Sequence, residues 1–215
     1  MSDDFLGTLY LASASPRRRE LLTELGLDFQ IALSTKPEIP HPPKVKDFKD
    51  LAFVMEIAED KARGAWENFS LPKPNAGLIL AADTLVFLGD RVLGKPKSKK
   101  EAREMLASLS GKTHTVATGI SLLRILDGEI RLHENRMVTT NVTFRELRAA
   151  DIDWYIETGE PMDKAGAYGA QGYGTVFLES ISGSYTNVVG LPLAETMGLI
   201  AETCGVPWQA FSKAR

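Results

Sequence analysis

The stretch Leu9-Tyr10-Leu11-Ala12-Ser13-Ala14-Ser15-Pro16-Arg17-Arg18-Arg19-Glu20-Leu21-Leu22 decides how the chain folds. A short apolar run stops at small hydroxyl residues, and a helix opening on proline and three arginines follows. Pro16 suits the first helical position, because its missing N–H would be an unpaired donor there anyway. Ser15 is then the expected N-cap, accepting from a first-turn N–H, and Gly26 is a good residue to end the helix. Strand, tight turn and helix N-terminus bring free N–H groups and the positive end of the helix dipole to one point, which favours an anion.

Spacing separates the arginines. Arg17 lies four residues before Leu21, and Arg18 lies four before Leu22 and seven before Leu25, so both project towards the buried face. Arg19 shares its face with Thr23 and reads as solvated. Two guanidiniums aimed inwards at a helix start suit a di- or triphosphate through forked hydrogen bonds. The competing reading is a helix end whose arginines pair with nearby carboxylates.

The 215 residues, 44% of them hydrophobic, suffice for one ordinary domain over residues 1–215, or for a two-lobed domain around a cleft. A net charge of -3 supplies no basic field for nucleic acid polymers, so any nucleotide site is local and pocket-like. Cys204 is the only cysteine, which excludes an internal disulfide and a multi-cysteine zinc site. No apolar run approaches the ~20 residues that cross a bilayer. The acidic start Met1-Ser2-Asp3-Asp4 lacks the positive region of a signal peptide, so a cytoplasmic protein without membrane attachment is expected.

Outward from the opening stretch, Asp28 to Leu33 alternates enough for a strand, and a proline-rich loop runs from Ser34 to Lys46. Glu38 is that loop's only acid, and His41 is flanked by prolines. A helix is expected from Asp47 to Phe69, with Leu51, Met55, Ala58, Ala62, Ala65 and Phe69 as its apolar stripe. Lys61 borders that stripe, where a lysine either snorkels to water or reaches a phosphate. Gly77-Leu78-Ile79-Leu80-Ala81-Ala82-Asp83-Thr84 reads as a strand buried on both faces that delivers Asp83 and Thr84 at its carboxyl end. A carboxylate so placed either caps a turn, or holds a divalent metal, acts as a general base, or does both.

Val86 to Pro96 carries hairpin signals and sets Lys95 between Gly94 and Pro96. Ser98 to Glu101 is a capping box for a helix whose Ala102, Met105, Leu106 and Leu109 face inwards. Thr113 to Ile125 and Arg131 to Phe144 are expected as two long strands around the Asp127-Gly128 turn. His114 and His133 fall on them as structural residues. Arg148 to Thr158 is a further helix. Residues 161–174 then hold too many glycines for a regular element. Asp163 and Lys164 stand at the mouth of this segment, either as an internal ion pair or as ligands, and Gln171 offers a paired donor and acceptor to a base. Gly183 to Pro192 is expected as a second polar loop, followed by the last helix to Cys204.

Several of these stretches resemble one family. Ser-Ala-Ser-Pro-Arg-Arg at 13–18, Ala-Ala-Asp-Thr at 81–84 and Gly-Lys-Pro at 94–96 match the Maf-like nucleotide pyrophosphatases. So do Asp-Lys-Ala-Gly-Ala-Tyr-Gly-Ala-Gln-Gly at 163–172 and Gly-Ser-Tyr-Thr-Asn-Val-Val-Gly-Leu-Pro at 183–192. The resemblance implies an elongated α/β fold similar to inosine triphosphate pyrophosphatases, with a central mixed sheet flanked by helices and two lobes around a cleft. It implies hydrolysis of a nucleoside triphosphate to monophosphate and pyrophosphate, aided by Mg or Mn, in a cytoplasmic homodimer. Asp83 resembles the catalytic base and a metal ligand. Ser13, Arg17, Arg18, Lys61 and Lys95 resemble the phosphate-binding set, joined by Thr84, Asp163, Lys164 and Gln171 around the substrate. Arg17, Thr84 and Gln171 match positions tied to substrate choice.

The 163–172 segment resembles the branch acting on dTTP and UTP, which removes non-standard or excess pyrimidine nucleotides. Alternatives are the same reaction on 7-methyl-GTP or another non-standard nucleotide, or a nucleotide-sensing regulator of septum formation. One departure stands out. The family's acidic residue after the second strand, usually in an Asp-Glu pair, has only Glu38 as its counterpart, in a Lys-Pro-Glu-Ile-Pro context. Its metal role is left open.

Overall fold

A computed structural model describes residues 7–37, 39–46, 51–69 and 73–212. Glu38, the candidate metal ligand whose role is left open above, lies outside the described residues, as do the first four residues of the helix expected from Asp47. The elements run β1 (Thr8–Leu11), α1 (Pro16–Glu24), β2 (Phe29–Ile31), α2 (Ala52–Glu67), β3 (Ala76–Leu88), β4 (Arg91–Leu93) and α3 (Lys99–Leu109). They continue with β5 (Thr113–Leu126), β6 (Glu129–Phe144), α4 (Ala149–Glu157), β7 (Leu178–Ser182), α5 (Tyr185–Val189) and α6 (Leu193–Cys204). The strands form one mixed sheet in the order β2-β1-β3-β5-β6-β7, with β4 also paired to β3.

β1 runs parallel to β2 and β3, as short strands linked through α1 and α2 must, and every other pairing is antiparallel. The β5–β6 hairpin turns on Asp127 and Gly128, both at positive φ, the geometry an Asp-Gly pair supplies. Alternation along β3 divides the core. Leu78, Leu80 and Ala82 pack with α1 and α6, and Val86 packs with α3 and α4. Ile79 and Ala81 pack with Ala62 and Ala65 of α2, while Leu85 and Phe87 pack with Val54 and Ile57 nearer its start. Helices therefore cover both faces of the sheet, as an α/β layer structure requires.

One edge of β3 explains where a site can form. β1 pairs with Gly77–Leu80, and β4 pairs with Val86–Leu88 on the same edge, while β5 occupies the opposite edge throughout. Residues 81–85 are left between β1 and β4 with no strand alongside on that edge among the described residues. Asp83 and Thr84 sit in that gap.

Three details differ from the sequence expectations. Asp83 lies in mid-strand rather than at a strand end, because β5 and β4 continue the pairing beyond the point where β1 stops. The segment 183–192 contains the short helix α5, started by the Ser184 hydroxyl, which accepts from the Asn187 N–H. The glycine-rich segment resolves into 3₁₀ turns at Glu160–Asp163, Ala165–Ala167 and Gly172–Phe177.

Candidate active site

A cleft of about 570 Å³ opens over the bare edge of β3. That volume falls in the usual range for a small-molecule ligand, roughly 300–1,000 Å³. Its lining brings together Ser13, Arg17, Arg18, Lys61, Asp83, Thr84, Lys95, Asp163 and Lys164 from segments spread across most of the chain. Gln171 is not among the lining residues; it follows Ala170, which is.

Strand alternation sends Asp83 and Thr84 to opposite faces of the sheet. On the α2 face, Lys61 Nζ donates to Asp83 Oδ1 at 2.6 Å, and both side chains are largely covered. The expected stripe of α2 puts Ala58, Ala62 and Ala65 on the sheet and leaves Lys61 at its border, pointing into the gap. On the other face, Thr84 Oγ1 meets Thr118 Oγ1 at 2.9 Å and Arg18 Nη2 at 3.1 Å. The two halves of the site thus lie on different sides of β3, joined where the edge is bare.

Arg18 is the buried arginine. Its Nε donates to the Gly190 carbonyl at 2.8 Å, its Nη1 to Ser13 Oγ at 3.0 Å, and its Nη2 to Thr84. Only a planar fork reaches three acceptors in this way. All three acceptors are neutral oxygens, and Arg18 lines the cleft. Arg17 differs: its Nη1 donates to Asp163 Oδ2 at 3.0 Å across the cleft mouth. Lys164 Nζ donates to the same carboxylate at 2.7 Å and to the Glu160 carbonyl at 2.7 Å. Burial raises the Asp163 pKa, but Lys164 and Arg17 outweigh it and hold the carboxyl below its ordinary value. The internal ion pair expected for Asp163 and Lys164 is present, and both residues line the cleft. Arg19 is exposed, as its spacing predicts.

The N-terminus of α1 departs from expectation in a useful way. Ser15 occupies the N-cap position, yet its side chain makes no capping bond. Its backbone N–H donates to Ser13 Oγ at 3.2 Å. Ser13 Oγ already accepts from Arg18, so both lone pairs are engaged and the hydroxyl proton is left to donate. An uncapped helix start and an outward O–H are two neutral donors suited to one anion. Lys95, exposed on the opposite wall, has no hydrogen-bond or ion-pair partner among the described residues.

Sequence reasoning passed over several residues of the site. Asp60 and Ile57 of α2 line the cleft, as does His41 from the proline-rich loop. Gly94 admits that loop: a Cβ there would lie in the His41 ring. Thr118 was legible as a hydroxyl inside an apolar strand, a pattern that calls for a buried partner. His114 and His133 are structural, as read. Nε2 of His114 lies 2.8 Å from the Tyr168 hydroxyl, and the His133 ring contacts Arg63, Ser121 and Asn135.

The sequence model of the family described as Maf-like protein matches residues 8–203. A dTTP/UTP pyrophosphatase of Myxococcus xanthus is 43% identical over 211 residues, covering 94% of this chain and 96% of the relative. One from Yersinia pestis is 46% identical over 193 residues, covering 90% and 91%. A solved structure, a nucleoside-triphosphatase / dITP/XTP pyrophosphatase of Mycobacterium abscessus, aligns over 92% of this chain and 94% of its own at TM-score 0.40 and 11% identity. A family match over nearly the whole chain, joined by relatives at this identity and coverage, places the chain in the Maf-like protein family.

Proposed function

We propose that the chain hydrolyses dTTP and UTP to the nucleoside monophosphate and pyrophosphate in this cleft. The carrying observation is the placement of Asp83, a carboxylate on a bare strand edge, facing a cleft whose other polar groups are mainly cations and neutral donors. Relatives covering more than nine-tenths of the chain bear the name dTTP/UTP pyrophosphatase, which supports the choice of nucleotide.

In this reading Asp83 takes a proton from water as the water oxygen bonds to the α-phosphorus. The bond between that phosphorus and the bridging oxygen breaks, and pyrophosphate leaves with the electron pair. Lys61, Lys95, Arg17, Arg18 and the Ser13 hydroxyl offset the charge on the phosphates. Thr84, Asp163 and Lys164 border the substrate, and Gln171 reads the base together with Arg17 and Thr84.

The donor chemistry suits a divalent cation. Asp60 and Asp83 both line the cleft, whereas no group of three metal-ligating side chains occurs among the described residues. Mg²⁺ commonly takes one or two carboxylates and completes its shell with water and substrate phosphate oxygens. Asp83 would hold it, and bound Mg²⁺ or Mn²⁺ would neutralise triphosphate charge. Residues 1–215 act as one catalytic domain in this reading, as a homodimer in the cytoplasm.

Pyrophosphate release from a panel of nucleoside triphosphates with Mg²⁺ or Mn²⁺ tests the reading, with dTTP and UTP turned over fastest. Tight nucleotide binding without turnover of any triphosphate would make the chain a sensor instead. Preferential hydrolysis of 7-methyl-GTP would move it to another branch. A monomeric mass by sedimentation would remove the dimer.

A further inference from the structure

Glu160 has no place in the chemistry above, yet its carboxylate gathers the glycine-rich segment. Oε1 accepts from the Tyr155 hydroxyl at 2.9 Å and from the Gly174 N–H at 3.1 Å. Oε2 accepts from the Tyr173 N–H at 2.9 Å. The Tyr155 hydroxyl in turn accepts from the Gly169 N–H at 3.1 Å. Tyr155 is fully buried on α4, so this small network is anchored in the core.

Together these bonds tie down both ends of one short excursion. Gly169 and Ala170 line the cleft, and the chain comes back on itself at Gly174, where a Cβ would meet the Gly169 carbonyl. Gly172, at φ +70°, lies so close to the Glu160 carboxylate that a Cβ would strike it. Gln171 sits at the tip of this closed loop, one residue beyond Ala170, whose carbonyl accepts from the Tyr185 hydroxyl at 3.2 Å. A carboxamide can turn over and present its donor and acceptor in either order. Its power to choose between bases then depends on how firmly its backbone is placed against the cleft.

We propose that Glu160 is a positioning residue that, together with Tyr155, sets base selectivity by clamping the 169–174 loop that carries Gln171. The inference deepens the proposed function and rests on its assignment of Gln171 to the base. Glutamate is required rather than glutamine, because three donors converge on it and a carboxylate accepts on both oxygens. Glutamine would turn an NH₂ towards one of those donors.

The test uses Glu160→Gln and Tyr155→Phe in the full chain, with thermal melts to establish that each folds cooperatively. Two readouts are taken: amide exchange of residues 169–174, and kcat/KM for UTP over CTP. The clamp predicts faster exchange at Gly169, Tyr173 and Gly174, and a UTP/CTP ratio at least about tenfold lower in Glu160→Gln, the equivalent of one misplaced polar contact. Unchanged exchange overturns the clamp whatever the activity. Faster exchange with an unchanged ratio overturns the selectivity role, because a merely structural residue would lower both rates together. Wild-type protein that releases no pyrophosphate from any triphosphate overturns the proposed function and, with it, the selectivity role, while exchange still reports on the clamp. If Glu160→Gln does not fold, Tyr155→Phe carries the same two readouts, since it cuts the link to Gly169 and one of the carboxylate's three donors.

Discussion

Lys61 and Asp83 meet at 2.6 Å although they belong to a helix and a strand, and their side chains are only 18% and 15% exposed. The ion pair sits where β3 has no strand beside it on the edge between β1 and β4. Lys61 fixes the orientation of the carboxylate. A half-buried pair of this kind is costly to break from one side, because the survivor is left with uncompensated charge. Substrate phosphates entering the cleft would compete with Asp83 for the ammonium, releasing the carboxylate towards water.

Asp83→Asn removes the proposed proton acceptor while keeping size and polarity. Turnover of dTTP should fall by at least about 10²-fold, the lower range for loss of a general base. Nucleotide affinity by calorimetry should stay measurable, because the cationic groups remain. Activity within a few-fold of wild type would take Asp83 out of the base role.

Lys61→Met keeps the packing of the stem against α2 but removes the charge. Both the rate and the orientation of Asp83 depend on that charge, so the effects of Lys61→Met and Asp83→Asn should not add. A double-mutant cycle on kcat/KM should show a coupling of roughly 1–3 kcal/mol, the span for residues in direct contact. Strict additivity would mean that the pair seen here does not persist during turnover.

Arg18→Lys tests whether geometry or charge matters at α1. Lysine retains the charge but offers a compact ammonium in place of a planar fork that spans Ser13, Thr84 and Gly190. We expect a stability loss of about 3–6 kcal/mol in urea, since hydrogen bonds to charged groups contribute ~1.5–3 kcal/mol each and one of the three should survive. KM for nucleotide should rise in parallel. A variant as stable as wild type would show that the fork is dispensable.

Much of this arrangement was legible in the residues. Helical spacing separated the exposed Arg19 from its neighbours, and the apolar run at 77–82 located the buried strand that carries Asp83. What spacing could not supply was partnership. Arg17 and Arg18 both point inwards by periodicity, yet one crosses the cleft mouth to Asp163, 146 residues away, while the other reaches Gly190, 172 residues away. Local pattern carries no information about contacts at that separation. The bare edge of β3 was equally invisible, because it arises from where two other strands stop. Ser15 holds the sequence position of a cap, yet its side chain makes no capping bond.

His114 gives a pH signature that does not involve the cleft chemistry. Burial between Phe144 and Tyr168 lowers its pKa from the ordinary 6.5 to about 4, so the folded chain holds it neutral over the physiological range. The unfolded chain binds this proton at a higher pH than the folded one, so stability rises with pH between the two values. The contribution is fully present above about pH 6.5, declines as pH falls, and by pH 4 has cost about 3 kcal/mol. Urea denaturation at a series of pH values should show that slope in wild type and a flatter one in His114→Gln over the same window. Carboxylates such as Asp163 and Asp151, whose pKa values are lowered, lose their contributions at more acidic pH and leave the comparison clean. Parallel slopes in the two proteins would mean that the imidazole takes up its proton without unfolding the aromatic cluster around it.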